Sequence, residues 1–271
     1  MKDPTSSVRA SVFEVFGKIG RFKKYHIPIL PFLNGLTDLD EGVRTAAIFA
    51  LEKYYDEESK ALNLDEIINK IDPNNFDVLK SILSLLGRLW KKNPEKILKT
   101  LLNYIKSDDD ELKEKISSIL VDKYSFNPDL IFQNLTKIPD VSKFITKGII
   151  SKTIIKIAKT DPSRVIPNLY QCLKSENIDI VFNAVSSIEG LIDDFSDEIN
   201  LNPILLLLQK DIDEKIKKEA TKIITKIAKI KPLSIEPVLN EIFQFINNQE
   251  TSVKISLSKS ILEIAKKSPH L

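Results

Sequence analysis

The residues in this sequence that could perform chemistry are few, and their spacing fits no catalytic site. The two histidines, His26 and His270, lie in a connecting segment and at the C-terminus, so they form neither a metal-binding pair nor part of a catalytic triad. Neither the GxxxxGK[ST] nor the GxGxxG phosphate-binding pattern occurs. We therefore expect no catalytic residue, no cofactor and no metal ion, and we interpret the chain as non-enzymatic.

The remaining reactive groups fit structural roles. Cys172, the single cysteine, lies between Leu169 and Leu173 in an apolar segment, which predicts a packed and inert thiol rather than a nucleophile. The acidic run 108–111 directly precedes a helical pattern, where carboxylates cap the helix and favour its dipole, so we expect capping rather than a divalent cation. A second acidic cluster, 193–198, is expected to be a solvated turn.

Composition describes a soluble helical protein. The chain has 271 residues, 40 Lys and Arg against 38 Asp and Glu, and a net charge of +2, so no bulk affinity for polyanions is implied. It contains only 7 glycines, which favours helices joined by short polar turns. One cysteine allows no internal disulfide, and the N-terminus has no apolar signal core. The longest aliphatic run, Ile204–Leu208, is too short to span a bilayer. We expect a cytoplasmic protein that does not enter a membrane.

A stripe of apolar residues at helical spacing recurs eight times along the chain. Its clearest copy is Asp38–Leu51, in which apolar residues fall at offsets 0, +4, +7, +8 and +11 from Val43. The eight copies are separated by 34 to 37 residues and begin at Val8, Val43, Val78, Leu112, Thr146, Val181, Ile216 and Val253. At the five offsets, 35 of 40 residues are apolar, whereas the 42% hydrophobic background predicts about 17. The period therefore defines a structural repeat.

Shorter apolar segments lie between the stripes, at 27–36, 64–71, 95–106, 129–138, 163–173, 203–209 and 235–246. Each predicts a short helix A that precedes the longer helix B carrying the stripe. One such pair cannot bury its apolar faces alone, whereas stacked pairs share a continuous core. The sequence thus predicts an all-α, right-handed superhelical solenoid. We expect one array over residues 1–271 with about eight helix pairs, the first lacking helix A.

The segment 28–51 resembles a HEAT repeat, which has proline in helix A, Asp in the turn and VRxxAxxAL in helix B. The helix A proline returns at Pro167, Pro203 and Pro237. The step of 34 residues would also fit a tetratricopeptide repeat, but residues 97–104 place bulky side chains where that pattern needs a small one. The HEAT resemblance implies a ladder between repeats, formed by an acidic residue near offset −5 and a basic residue at offset +1.

The resemblance also implies that the B helices line the concave face of the solenoid. From offset −1 to +14 the eight B helices carry a net charge of +13, so the rest of the chain carries −11 of the overall +2. Candidate partner-binding cations on the B helices are Lys147, Lys152, Lys217, Lys222, Lys254 and Lys259. The alternative is that these lysines are spread around helices for solubility, and the acids of repeat 6 interrupt the track.

Aromatic side chains occupy offset +12 in the first half of the array, at Tyr55, Trp90 and Tyr124. They are candidate groove anchors for an amphipathic partner. The alternative is that they pack against helix A. Two further apolar residues, Ile255 and Leu262, lie off the main stripe of the last helix. They are either tolerated surface residues or a contact with another subunit, domain or repeat.

From these patterns we expect a protein-binding scaffold or adaptor whose concave face holds a protein or peptide partner, with an acidic partner favoured by the lysines. The alternative is nucleic-acid binding through the lysine-rich B helices of repeats 5, 7 and 8. Self-association or further repeats at the ends of the array is a third expectation.

Overall fold

The computed structural model describes residues 3–20, 29–54, 63–138, 148–209, 212–247 and 251–267. Every regular element in these ranges is a helix, which agrees with the all-α prediction. The longer helices carry the predicted stripes and are the B helices. Their bounds are α1 (Ser6–Gly20), α3 (Glu41–Tyr54), α5 (Phe76–Arg88), α7 (Asp110–Tyr124), α9 (Ile149–Ala158), α11 (Ile178–Phe195), α13 (Glu214–Ile230) and α15 (Thr251–Lys267).

The helices that alternate with them are the A helices. Their bounds are α2 (Leu30–Gly35), α4 (Leu64–Ile68), α6 (Pro94–Tyr104), α8 (Pro128–Thr136), α10 (Pro162–Cys172), α12 (Asn202–Gln209) and α14 (Leu239–Asn247). Each is shorter than its neighbouring B helices except α10, which has 11 residues against 10 in α9. Short 3-10 helices occupy Trp90–Lys92 and Pro232–Val238. Every predicted helix A segment thus contains a helix.

Helix starts follow from local capping chemistry. The Asn93 and Asp161 side chains accept hydrogen bonds from the backbone N–H groups two or three residues into α6 and α10, and a proline fills the first position of each helix. Proline suits that position because its missing N–H would have no partner there. At α3 the cap is Asp40, whose Oδ1 accepts from the N–H of Val43 at 3.1 Å.

The apolar stripe forms the core of the interior repeats. Val43, Ala47, Ala50 and Leu51 of α3 are completely buried, and the equivalent residues of α5 and α13 are at most 3% exposed. Neighbouring B helices pack on one another, as α1 does on α3 and α13 on α15. Five of the A helices pack on the B helix that follows them, for example α2 on α3 and α10 on α11.

The chain divides into two compact units, Met1–Pro128 and Asp129–Leu271. The division falls between repeats 4 and 5, so α1 to α7 form unit 1, and all of α8 except its first residue belongs to unit 2 with the later helices. In unit 1, tilted rings of Phe13, Phe16 and Phe32 join α1 to α2, with ring centroids 5.7 and 6.0 Å apart. That all eight repeats form one right-handed array remains a prediction.

Two repeats depart from the predicted pattern. Helix B of repeat 5 begins only at Ile149, after Gly148, whereas the stripe was placed from Thr146, which lies outside the described residues. Helix A of repeat 8 is split into the 3-10 helix Pro232–Val238 and α14, because Pro237 supplies no N–H to an α-helical hydrogen bond.

Candidate functional site on the B helices

A groove of about 520 Å³ crosses the outer faces of α3, α5 and α7 in unit 1. On α5 and α7 the lining residues lie at offsets −1, +2, +3 and +6, with Arg88 at +10. On α3 they lie one position earlier, at −2, +1, +2 and +5. The lining residues are Glu41, Arg44, Thr45, Ile48, Asp77, Lys80, Ser81, Ser84, Arg88, Glu111, Glu114, Lys115 and Ser118.

Small hydroxyl side chains leave the groove open. The hydroxyls of Ser81, Ser84 and Ser118 each donate to the carbonyl four residues earlier in their own helix, at 2.8–2.9 Å. Because these donors already have acceptors within the helix, the serines require no partner from another element. They therefore form a low surface on which a polar chain can lie without leaving a buried donor unpaired.

The charges of the groove are mixed, and ion pairs bridge successive repeats. Lys80 Nζ lies 2.5 Å from Glu111 Oε2 and 3.9 Å from Asp109, and Arg88 Nη1 lies 2.5 Å from Glu52 Oε2. The hydrogen bond to Glu111 raises the pKa of Lys80 above its ordinary value, against the opposing effect of burial. Because acids and bases alternate along the lining, the groove does not present a surface of one sign.

The ladder implied by the HEAT resemblance is formed at its first rung. Arg9 of repeat 1 pairs with Asp38 of repeat 2, with Nη2 to Oδ1 at 2.8 Å and Nε to Oδ2 at 2.9 Å. These hydrogen bonds lower the pKa of the Asp38 carboxyl. Arg44, the next predicted rung, is 5% exposed and instead donates to the carbonyls of Asp38 and Leu39 and to Ser81 of the next repeat.

The structure buries the predicted aromatic anchors that it describes. Trp90 is 2% exposed, and its Nε1 donates to Asn127 Oδ1 at 2.8 Å. Tyr124 is 3% exposed. Neither ring is accessible to a partner in this structure, so their placement agrees with the packing alternative and differs from the expected role as groove anchors. Tyr55 lies outside the described residues.

The candidate lysines separate into two rows. Lys152, Lys222 and Lys259 are exposed and share offset +6, the position that lines the groove in unit 1. Lys217 and Lys254 share offset +1 and are half-buried, as befits the position that Arg9 and Arg44 use to reach the next repeat. Lys147, the third residue of that row, lies outside the described residues. Of the described candidate lysines, those at offset +6 are therefore the more accessible to a partner.

Acids on α11 neutralise lysines on both neighbouring B helices. Lys159 of α9 pairs with Asp194 at 2.8 Å, and Lys226 of α13 pairs with the buried Glu189 at 2.6 Å. Burial alone would lower the pKa of Lys226, but the hydrogen bond and charge of Glu189 outweigh it, so the pKa is raised. Lys231 pairs with Asp197. Asp194 and Asp197 thus contact neighbouring repeats while their side chains stay 45% and 87% exposed, which agrees with the predicted solvation. Asp193 and Asp194 lie in α11 rather than in a turn.

The other groups considered for chemistry have structural partners. Asp109 Oδ1 accepts from the N–H of Leu112 at 2.7 Å, which confirms that the acidic run caps α7. Burial raises the pKa of the half-buried Cys172 thiol, the opposite of what a reactive thiolate needs. Among the described residues, no group of three His, Cys, Asp or Glu side chains could hold a metal ion. None of the described helices is long and apolar enough to cross a membrane.

No protein-family model matches the sequence, and no curated protein matches it. Solved structures match its fold. Kap121p bound to Nup53p is 13% identical with a TM-score of 0.52, over 97% of this chain and 32% of that chain. Kap121p alone is 15% identical with a TM-score of 0.49, again over 97% and 32%. A structure of Kap95p, from a study of its binding to RanGDP, is 13% identical with a TM-score of 0.42. That match covers 99% of this chain and 42% of that chain.

The chain thus spans about a third of Kap121p, at an identity that shows the fold alone. Kap121p is a HEAT-type karyopherin, and the alternating A and B helices, the buried stripe and the Arg9–Asp38 rung are those of the same architecture. The chain therefore has the fold of a HEAT-repeat α-solenoid.

Proposed function

We propose that this chain is a non-enzymatic scaffold that holds a segment of a protein partner in the groove across α3, α5 and α7. The observation that carries the proposal is that three successive B helices present acids, bases and hydroxyls to one open space of about 520 Å³. A peptide supplies amides and charges of both signs to such a lining.

The size of the groove suits an extended chain. Packed helices lie about 8–10 Å apart, so a groove across three of them is roughly 20 Å long. An extended segment rises about 3.3 Å per residue, which gives room for about six residues. The Kap121p structure with the matching fold contains a bound protein, Nup53p. This supports a protein as the class of partner.

Nucleic acid fits this groove less well. Its lining carries Glu41, Asp77, Glu111 and Glu114, whose charges oppose a phosphate backbone. In unit 2, acids of α11 pair with Lys159 and Lys226. The lysines of the B helices therefore do not form a continuous cationic surface there. A partner that binds through six to ten phosphates would lose about 10³–10⁵ in affinity between 50 and 200 mM salt. We expect a much weaker salt dependence for the protein partner.

The test uses a variant that fills the groove. Ser118 is exposed on α7 within the groove, so Ser118→Arg adds a long side chain and a charge there without disturbing the core. Asn103→Arg on α6 is the matched control, because it makes a similar change at an exposed position of an A helix. Partners captured from native cells by wild type and by the control, but not by Ser118→Arg, would support the proposal.

The direct measurement is the affinity of the captured partner for each purified variant. A nuclease-sensitive partner set, or a partner that binds Ser118→Arg as tightly as wild type, would refute the groove as the protein-binding site. Circular dichroism of both variants ensures that a lost partner is not a lost fold.

A further inference from the structure

Most of the basic side chains that line the groove across α3, α5 and α7 are already engaged by the protein itself. Arg44 is 5% exposed and donates to three oxygen atoms of unit 1. Lys80 and Arg88 each pair with an acid of a neighbouring repeat, at 2.5 Å. Lys115 is the fourth base of the lining, and no ion pair among the described residues holds it. A partner therefore meets one uncommitted cation in this groove.

The acids along one edge of the groove are less engaged. The first turn of each of the three B helices carries an acid that lines the groove, Glu41 on α3, Asp77 on α5 and Glu111 on α7. Glu111 pairs with Lys80 but keeps a side chain 80% exposed. Glu41 and Asp77 are exposed, and neither makes an ion pair within the part of the chain that the structure describes. This acid row leaves the groove with more uncommitted negative than positive charge.

Acids in the first turn of a helix also favour its dipole, so the acid row alone does not define a site. What distinguishes it is the open space of about 520 Å³ beside it, in which three of the four bases already have acceptors. A cation brought by a partner would meet Glu41 and Asp77 there without displacing a cation of the described chain. Such charge-assisted hydrogen bonds are stronger than neutral ones.

The spacing of the acid row indicates the conformation of the partner. Packed helices lie about 8–10 Å apart, so acids at the same end of neighbouring helices repeat at about that distance. A polyproline II segment has three residues per turn and rises about 3.1 Å per residue, so every third side chain points the same way at roughly 9 Å. In a β-strand, side chains on one face repeat at about 6.6 Å or 13 Å, which matches the helix spacing less well.

From the charge and the spacing we propose that the groove takes a basic segment of its protein partner. The segment lies in polyproline II conformation, with a Lys or Arg at every third residue facing Glu41, Asp77 and Glu111. This inference rests on the proposed function, because it names the chemistry of the segment that the groove holds. It reverses the expectation of an acidic partner, which came from lysines of the B helices that do not line this groove.

The probes are three fluorescently labelled peptides of seven residues. KPSKPSK has a lysine at every third position, with proline to favour polyproline II. PSKKKPS has the same composition with adjacent lysines, and EPSEPSE has glutamate in place of lysine. Fluorescence anisotropy with the full chain, titrated to about 1 mM at about 50 mM salt, gives each Kd. We expect KPSKPSK to bind at least about threefold more tightly than PSKKKPS, and EPSEPSE to show no binding.

Variants of the chain test the acid row directly. Glu41→Gln with Asp77→Asn removes two carboxylates and keeps the shape of both side chains. Two exposed ion pairs correspond to roughly a two- to thirtyfold change in Kd, so KPSKPSK should bind this variant that much more weakly. Glu66→Gln with Glu95→Gln is the matched control, because it makes the same change in net charge at exposed first-turn acids of α4 and α6. Lys115→Glu adds a carboxylate to the groove and should tighten binding.

The outcomes separate this inference from the proposed function. No binding of KPSKPSK, tighter binding of EPSEPSE, or equal Kd values for the acid-row variant and its control would overturn the basic segment. Equal binding of PSKKKPS would overturn the three-residue spacing. A captured protein that Ser118→Arg loses but Glu41→Gln with Asp77→Asn retains would leave the protein-binding groove standing and refute the basic segment. Capture that Ser118→Arg does not affect would refute the groove itself.

Discussion

The ion pair between α11 and α13 provides a quantitative test of how the repeats are joined. Glu189 has a side chain only 6% exposed, and Lys226 reaches it from the next repeat with a side chain 34% exposed. The lysine also lies 3.6 Å from Asp193, which is 70% exposed. Lys226→Met keeps the aliphatic stem but removes the ammonium group that pairs with the buried carboxylate of Glu189.

The expected loss in the free energy of unfolding follows from the unequal burial of Glu189 and Lys226. Removing one partner of a fully buried pair costs about 3–5 kcal/mol, because an uncompensated charge stays buried. Solvent reaches a third of the lysine side chain, so we expect a loss of about 1.5–3 kcal/mol for Lys226→Met. Asp193→Asn should cost about 0–1 kcal/mol, since exposed pairs contribute little. Replacing both buried partners, in Glu189→Leu with Lys226→Met, should recover much of the loss.

The assay is urea unfolding followed by helical circular dichroism, with Lys222→Met as a control that removes an exposed lysine paired with Glu219 on the same helix. The raised pKa of Lys226 determines the pH range over which this ion pair stabilises the protein. Its stabilising contribution is fully present below the ordinary lysine pKa of about 10.4 and is lost as the pH rises through the higher folded value. If Lys226→Met matched Lys222→Met, or if Asp193→Asn cost as much, burial would not govern this pair.

Three further changes test other contacts. Gly35→Ala should destabilise unit 1 by about 1–3 kcal/mol, measured as a lower melting temperature, because its Cβ would lie 2.4 Å from Phe13 Cζ. Asn183→Ala should cost about 2–4 kcal/mol in urea unfolding, because the completely buried amide donates to two backbone carbonyls at the end of α8. Asp38→Asn should remove the stability that Arg9 gives to the Asp38 carboxylate. The pKa of Asp38 is lowered in the folded protein. The loss in free energy of unfolding relative to wild type should therefore be complete above pH about 3.9, and it should vanish as the pH falls through the folded-state pKa of Asp38.

Each of these has a matched comparison. Gly42→Ala on α3 meets only Asp40 Oδ1, at 3.1 Å, and should be neutral or stabilising because alanine favours the helix. An equal loss in Gly42→Ala would mean that close approach is not the reason for Gly35. Asn103→Ala, at an exposed position of α6, should stay near wild type. A pH-independent gap between Asp38→Asn and wild type would rule out the ion pair as its source.

The periodic stripe was sufficient to predict the helices, because burial of one helix face every 3.6 residues is written locally in the sequence. The eight B helices and the seven segments that contain an A helix follow from it. The start of helix B was less clear in one repeat. In repeat 5 the stripe contains Thr146 and Thr153 in place of aliphatic residues, and the described helix begins at Ile149.

The width of the buried face was not predictable from the stripe. Trp90 and Tyr124 lie one position beyond it, and whether such a residue faces solvent depends on how closely the neighbouring helices approach. The hydroxyls at offset +5, Ser117, Ser151 and Thr221, are likewise completely buried. A ring or hydroxyl beside the stripe has the same helical position in either case, so periodicity alone does not separate an anchor from a core residue.

The sequence by itself determined the repeat, the all-α architecture and the excess of lysine on the B helices, because these depend on residue type and on spacing within one helix. Only the tertiary structure decided which lysines are neutralised, because Lys159, Lys226 and Lys231 meet acids 34 to 37 residues away whose pairing depends on the register between helices. It also located the groove across α3, α5 and α7, since a groove exists only where three helices line one space.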